Sequence, residues 1–112
     1  MQKNDFTDFI LNKFRELEEK FAEKNEQYST NDPLANFSTG ARLVYKKADA
    51  GTMYDVTKEY LLKHISHIYN NDVHGCKIDE SLTDMAIYSV ILLYFHKLSK
   101  MEECRNERKQ EY

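Results

Sequence analysis

The sequence predicts an all-α protein, an antiparallel helical bundle of three long helices and one short helix. Two observations indicate this fold class. The chain has one Pro and three Gly among 112 residues, so few positions interrupt a helix. Apolar residues also recur three and four residues apart, which is the spacing of one helix face and not the alternation of a strand. We therefore expect the hydrophobic 41% of the chain to form the interior of a bundle.

The first long helix is predicted from about Asp5 to Lys24, with Asn4 or Asp5 as its N-cap. A loop through Asp32-Pro33 follows it. One face of this helix carries apolar side chains at helical spacing, which predicts the stripe that faces the bundle. These residues are Phe6, Ile10, Phe14, Leu17 and Phe21.

The middle of the chain predicts a short helix and a second long one. The short helix runs from about Thr39 to Lys47 and presents Leu43 and Val44. Thr52 is the expected N-cap of the long helix, which ends near Tyr69. Its predicted apolar face contains Met53, Val56, Tyr60, Leu61 and Ile68.

The last long helix is predicted to begin near Glu80, capped by Asp79, and to end beyond Leu98. Its apolar run from Met85 to Phe95 has eleven residues, well short of the roughly 20 that cross a bilayer. The run is apolar on more sides than one small domain covers, which predicts a homodimer or higher oligomer. The residues expected at that interface are Val90, Leu92, Leu93 and Tyr94.

Length and charge set the broad class. The chain is predicted to form one helical domain over residues 1–101, followed by a charged extension over 102–112. A net charge of −3 and a pI of about 5.8 provide no field that attracts nucleic acid or an anionic membrane. Two isolated cysteines fit a reducing compartment, and the first residues lack the apolar core of a signal peptide. We expect a soluble cytoplasmic protein.

Two histidines on the second long helix are candidate functional residues. His64 falls at the centre of the apolar face, and His67 lies at its edge. A histidine on such a face is commonly a core residue with one hydrogen-bond partner. The alternative is a role as ligand or general base. In an antiparallel pair both would approach the first turn of the last helix.

The beginning of that helix carries two acids, Glu80 and Asp84, one turn apart on the face of Tyr88 and Ile91. Three interpretations stay open. The acids form an ion pair with a histidine or Lys63, they hold a divalent metal that bridges to phosphate, or they are exposed and have no role. Asp79 and Glu80 are also the expected first-turn residues that complement the helix dipole.

The segment between the first two helices is the candidate ligand loop. Lys24 either caps the preceding helix or contacts an anionic ligand. Tyr28 and Phe37 have rings that stack on a base, and Asn36 has an amide that pairs with a base edge. Anchoring of a folded-back loop would need the same aromatic residues.

Together these segments resemble a known family. The order K-N-x-x-Y, D-P-L-A-N-F, then Lys63-His64, then E-S-x-x-D-x-A-x-Y is similar to the nucleotide-modification-associated domains of phages and prophages. Those domains are similar to the all-α nucleotide pyrophosphohydrolases, the MazG-like and dimeric dUTPase group. The resemblance extends from about Phe21 to Phe95.

The resemblance implies a self-associating helical domain that hydrolyses a nucleoside triphosphate with Mg²⁺ held by helix carboxylates. Because histidine also ligates transition metals, Mn²⁺ is a second candidate ion. Glu80 and Asp84 match the second acidic pair of that family. The substrate-loop positions are matched by Lys24, Asn25, Tyr28 and Asn36.

Two departures from the family change the expected chemistry. Its first acidic pair is replaced here by Tyr60, His64 and His67, with Lys63 beside them, and the second pair is spaced by four residues instead of three. Three functions therefore stay open. They are a metal-dependent pyrophosphohydrolase in which His64 or His67 is catalytic, a nucleotide-binding domain without turnover, and a helical protein that binds a host partner.

Overall fold

The computed structural model describes residues 3–28 and 34–110, and the side chains of residues 5–24, 26 and 34–105. All regular structure in these ranges is α-helical, which confirms the predicted all-α class. The helices of these ranges are α1 Lys3–Tyr28, α2 Ala35–Tyr45, α3 Ala50–Tyr69 and α4 Ile78–Gln110. The chain consists of two compact units, Met1–Pro33 and Leu34–Tyr112. Within the described residues, no helix combines the length and the apolar character needed to cross a membrane.

Helix α1 forms the described part of the first unit. It continues one turn beyond the predicted end at Lys24, to Tyr28. Because α1 does not end at Lys24, this residue is not the C-terminal cap of the helix. Most of the predicted apolar stripe is exposed. Phe6, Ile10, Phe14 and Phe21 are all more than a third accessible to solvent.

Helix α2 begins earlier than predicted. Its N-cap is Leu34, so Ala35, Asn36 and Phe37 form the first turn of a helix and not part of a loop. Leu43 and Val44, the apolar residues that this helix was predicted to present, are exposed at 74% and 54%. The buried residues of α2 are the small Ser38 and Ala41, because small side chains let the α2 backbone approach α3 closely.

Helix α3 starts with a reciprocal capping box. Asp49, and not Thr52 as predicted, is the N-cap. Its carboxylate accepts a hydrogen bond from the Thr52 backbone N–H at 2.8 Å, and the Thr52 hydroxyl accepts one from the Asp49 backbone N–H at 3.0 Å. Two backbone N–H groups that have no acceptor within the helix thereby form hydrogen bonds. Thr52 occupies the N3 position of this box.

The core of the second unit lies where α2, α3 and α4 meet. Met53 and Val56 from α3 pack with Ala41 of α2 and Phe95 of α4. Farther along α3, Tyr60 contacts Tyr88 of α4. The beginning of α3 thus meets the later part of α4, so the two helices pack antiparallel as expected.

Helix α4 extends to Gln110, so the charged segment after residue 101 forms its last turns. The face that the sequence predicts to be inward packs as expected, with Phe95 fully buried and Ile91 against the core. The opposite face stays exposed. Its large apolar side chains are about half or more accessible: Leu82 50%, Val90 65%, Leu93 65%, Tyr94 50% and Met101 47%.

Candidate functional site

His64 of α3 faces the first turns of α4. Its Nδ1 atom lies 3.3 Å from the hydroxyl oxygen of Ser81, and its Nε2 atom lies 3.6 Å from a carboxylate oxygen of Asp84. The first distance is a long hydrogen bond, and the second is an electrostatic contact longer than a hydrogen bond. Ser81 and Asp84 are neighbours on one face of α4 because they are three residues apart. The predicted approach of His64 to Asp84 is therefore observed.

This group is largely shielded from water. The side chains of His64 and Asp84 are 14% and 29% exposed, and Ser81 is buried. The ring of Tyr88 stacks on the imidazole with a centroid distance of 6.0 Å and an interplanar angle of 29°. Burial raises the pKa of Tyr88 above its ordinary 10.0, and the nearby charges of Asp84 and Tyr60 act in the same direction. We call these four residues the His64 cluster: His64, Ser81, Asp84 and Tyr88.

A path of aromatic rings joins the His64 cluster to the beginning of α2. Tyr88 contacts Tyr60 with a centroid distance of 6.3 Å, and Tyr60 contacts Phe37 at 6.2 Å. Asn36 precedes Phe37 and is exposed. The structure thus brings the α2 turn that carries Asn36 to the level of Tyr60, one turn from His64 on α3.

The other predicted residues of α3 and α4 lie outside the cluster. His67 donates its Nε2–H to the backbone carbonyl of Cys76 at 2.7 Å, so it anchors the loop between the helices. Lys63 is exposed beside His64. Glu80 is also exposed, so only one of the two predicted acids is half-buried near a histidine.

Three predicted residues belong to the first unit. Lys24 is an exposed residue of α1. The side chains of Asn25 and Tyr28 lie outside the described residues, as does the Asp32-Pro33 turn. Their predicted part in a ligand loop stays a prediction.

The expected metal ion needs more ligand atoms than the described residues bring together at one place. Among the residues that the structure describes, no three His, Cys, Asp or Glu side chains are grouped to hold an ion. Asp84 lies beside an imidazole, and Glu80, one turn before it on α4, is exposed. Mg²⁺ favours several oxygen ligands in octahedral geometry. The described donors therefore do not fit a resident Mg²⁺ or Mn²⁺ ion, and metal binding by Glu80 and Asp84 stays a prediction that needs added ligands such as phosphate oxygens.

Ser81 is the member of the cluster that sequence reasoning missed. Its signal was its position three residues before Asp84, which places both on the face that meets α3. Ser, His and Asp together are the residue types of a nucleophilic triad. The Ser81 side chain is 6% exposed, so a substrate has no access to its hydroxyl. The arrangement instead orients His64 between two residues of α4.

No protein-family model, no curated protein and no solved structure matches this chain.

Proposed function

We propose that this chain is a nucleotide-binding helical domain, related in type to the all-α nucleotide pyrophosphohydrolases, that binds its ligand without hydrolysing it. The nucleotide part of the proposal is supported by the three sequence motifs around Tyr28, Asn36 and Asp84. The preference for binding over hydrolysis is supported by one structural observation. An α3 side chain that lies 3.6 Å from Asp84 is an imidazole, at a level where the resemblance implies an acidic pair.

Hydrolysis of this kind uses a water molecule activated by a metal or by a general base. The described acids do not group into a metal site. His64 is also poorly placed as a base, because its two ring nitrogens face Ser81 and Asp84 and its side chain is mostly buried. The cluster thus holds α3 against α4 and leaves the ligand contacts to exposed neighbours.

The exposed residues near the His64 cluster carry the functional groups that bind a nucleotide. Lys63 adds a positive charge beside the cluster for phosphate, and Asn36 adds an amide with both donor and acceptor atoms for a base edge. The ligand class is therefore a nucleoside phosphate, and the proposed roles are phosphate binding by Lys63 and base reading by Asn36.

Isothermal titration calorimetry of the full chain tests the proposal. A panel of nucleoside mono-, di- and triphosphates is titrated with and without Mg²⁺ or Mn²⁺, and pyrophosphate release is measured in parallel. We expect saturable binding of at least one nucleotide and no pyrophosphate. Lys63→Ala should weaken binding by about tenfold to a hundredfold, the scale of a charge-assisted hydrogen bond.

Matched variants separate a site from general charge attraction. Lys58→Ala removes an exposed lysine from the same helix and should leave affinity unchanged. Asn36→Ala should alter the preference among bases more than the overall affinity. Metal-dependent release of pyrophosphate that Asp84→Asn abolishes would overturn the proposal in favour of a pyrophosphohydrolase. An absence of binding across the panel would favour a helical protein that binds a host partner.

A further inference from the structure

The outer face of α4 carries a stripe whose two ends differ in charge. Its residues follow one another in steps of three or four, so they lie along one side of the helix. The stripe begins with an acid, continues through apolar residues and ends with two lysines. Its members, which we call the α4 stripe, are Asp79, Leu82, Ala86, Val90, Leu93, Lys97 and Lys100.

Every residue of the α4 stripe is exposed in the second unit. Leu82, Val90 and Leu93 are at least half accessible, and Tyr94 flanks them with half of its surface exposed. At a rise of 1.5 Å per residue the stripe is about 32 Å long. Its apolar part, from Leu82 to Leu93, covers about 17 Å of that length. A continuous exposed apolar surface of this kind on a small domain marks a contact surface.

The stripe is complementary to itself when it is reversed. Asp79 and Lys97 lie nine residues before and nine residues after Tyr88. A second α4 that runs antiparallel and is centred at this level would place Asp79 of each copy opposite Lys97 of the other copy. Leu82 would lie opposite the Leu93-Tyr94 level of the other copy, and the small Ala86 would face Val90. A parallel pair would instead set Asp79 against its own copy and Lys97 against its own copy, which is repulsive.

We infer that the α4 stripe is the interface of a homodimer in which the α4 helices of two copies pack antiparallel around a two-fold axis near the level of Tyr88. Such a symmetric interface uses the same patch on both subunits, which requires a patch complementary to its own reverse. The charge order of the stripe meets this requirement. The partner that the surface fits is therefore a second copy of this chain.

The first test is the mass of the full chain in solution by light scattering at micromolar concentration. We expect two chains in the wild type. Leu93→Asp places a charge in the apolar part of the interface and should weaken dimerisation by at least about a hundredfold. Leu43→Asp is the matched control, because Leu43 is also an exposed leucine but lies on α2, and it should stay dimeric. A wild-type mass of one chain would overturn the inference.

The second test determines the direction of packing. Cys76 and Cys104 are first replaced by Ser, since both are exposed. Leu82→Cys and Leu93→Cys variants are then prepared singly and also mixed in equal amounts. After subunit exchange and mild oxidation, the mixture should form disulfide-linked dimers faster than either variant alone. Faster cross-linking of the Leu82→Cys variant with itself would indicate a parallel pair and overturn the antiparallel interface.

The third test uses the charges at the two ends. Asp79→Lys and Lys97→Asp each create two like-charged pairs across the axis and should each weaken the dimer by about tenfold. The double variant restores opposite charges and should recover most of the affinity. The predicted register would be contradicted if the double variant lost as much dimerisation free energy as the two single variants lose together.

Discussion

The phenol of Tyr60 lies directly over Gly40. A Cβ atom at residue 40 would stand 2.5 Å from the Tyr60 hydroxyl oxygen and 3.0 Å from a methyl carbon of Val56. Val56 is buried, and the Tyr60 ring is held between Phe37 and Tyr88. The close approach of α2 to α3 at this glycine therefore positions the ring that joins α2 to the His64 cluster.

The first prediction is that Gly40→Ala destabilises the fold. The added methyl group must displace Tyr60 or Val56, and overpacking of this kind costs about 1–3 kcal/mol of unfolding free energy. Urea denaturation measures the change. Gly51→Ala is the matched control, because its Cβ would lie at an ordinary 3.5 Å from an Asp49 carboxylate oxygen. That variant should gain up to about 1 kcal/mol from helix propensity, and equal effects at both sites would contradict the close contact.

The second prediction concerns the coupling of His64 with Asp84. Both side chains are mostly buried at a separation of 3.6 Å, so their interaction free energy should fall between the surface and the buried ranges, at about 1–2 kcal/mol. A double-mutant cycle with His64→Gln and Asp84→Asn measures it by urea denaturation, and it isolates this pair from the other neighbours of Asp84.

Glu80→Gln is the control for the cycle, since it removes an exposed acid from the same turn of α4 and should leave stability unchanged. Melting temperatures with and without Mg²⁺ or Mn²⁺ complete the experiment. A coupling free energy near zero would show that the two residues do not support each other. A metal-dependent rise in melting temperature that is lost in Asp84→Asn would instead identify Asp84 as a metal ligand.

The third prediction follows from the raised pKa of Tyr88, for which burial is the main cause. A tyrosine with a folded-state pKa above its unfolded value stabilises the fold fully below the unfolded pKa, and this contribution is lost as pH rises through the folded pKa. Alkaline conditions should therefore destabilise the wild type more than Tyr88→Phe. Urea denaturation at neutral and at alkaline pH measures the difference. Tyr69→Phe, at an 88% exposed position, should behave like the wild type.

The fourth prediction concerns the capping box of α3. The hydrogen bond from the Thr52 backbone N–H is the main cause that lowers the pKa of Asp49 below 3.8. A depressed carboxyl pKa contributes stability that is present above the unfolded pKa and lost as pH falls through the folded pKa. Asp49→Ala should cost about 1 kcal/mol at neutral pH, and less at about pH 2.

Asp49→Asn separates charge from capping in this experiment. Asparagine keeps an oxygen acceptor for the Thr52 N–H and carries no titrating group, so this variant should retain most of the cap. Its stability relative to wild type should improve as pH falls through the acid range. Denaturation curves at neutral and at acid pH provide both values, and a pH-independent difference would contradict the lowered pKa.

Much of the fold was predictable from local patterns. The sequence predicted all four helices, the buried face of α3 with Met53 and Val56, and the antiparallel approach of His64 to Asp84. These features depend on spacing within one helix and on a short connection between two helices. Hydrophobic periodicity indicates the first, and the short loop between two helices indicates the second.

Other features depended on neighbours that no local pattern shows. Leu43 and Val44 are the large apolar residues of α2, yet they are exposed. The small Ser38 and Ala41 are buried instead because α2 packs closely on α3. D-P-L-A-N-F was expected to be a loop, but Ala35 begins a helix whose first turn brings Phe37 against Phe95 at a centroid distance of 5.4 Å. Tertiary packing outweighed the local preference in both places.

The sequence by itself determined the class of this protein, the helices of its second unit and the face of α3 that is buried, because hydrophobic spacing along one helix acts locally. Only the tertiary structure decided which side chains meet. It placed Ser81 and Tyr88 around His64, tied His67 to the Cys76 carbonyl and left Glu80 exposed. The physical reason is that a contact between α3 and α4 depends on the rotation and register of two helices together, which neither helix specifies alone.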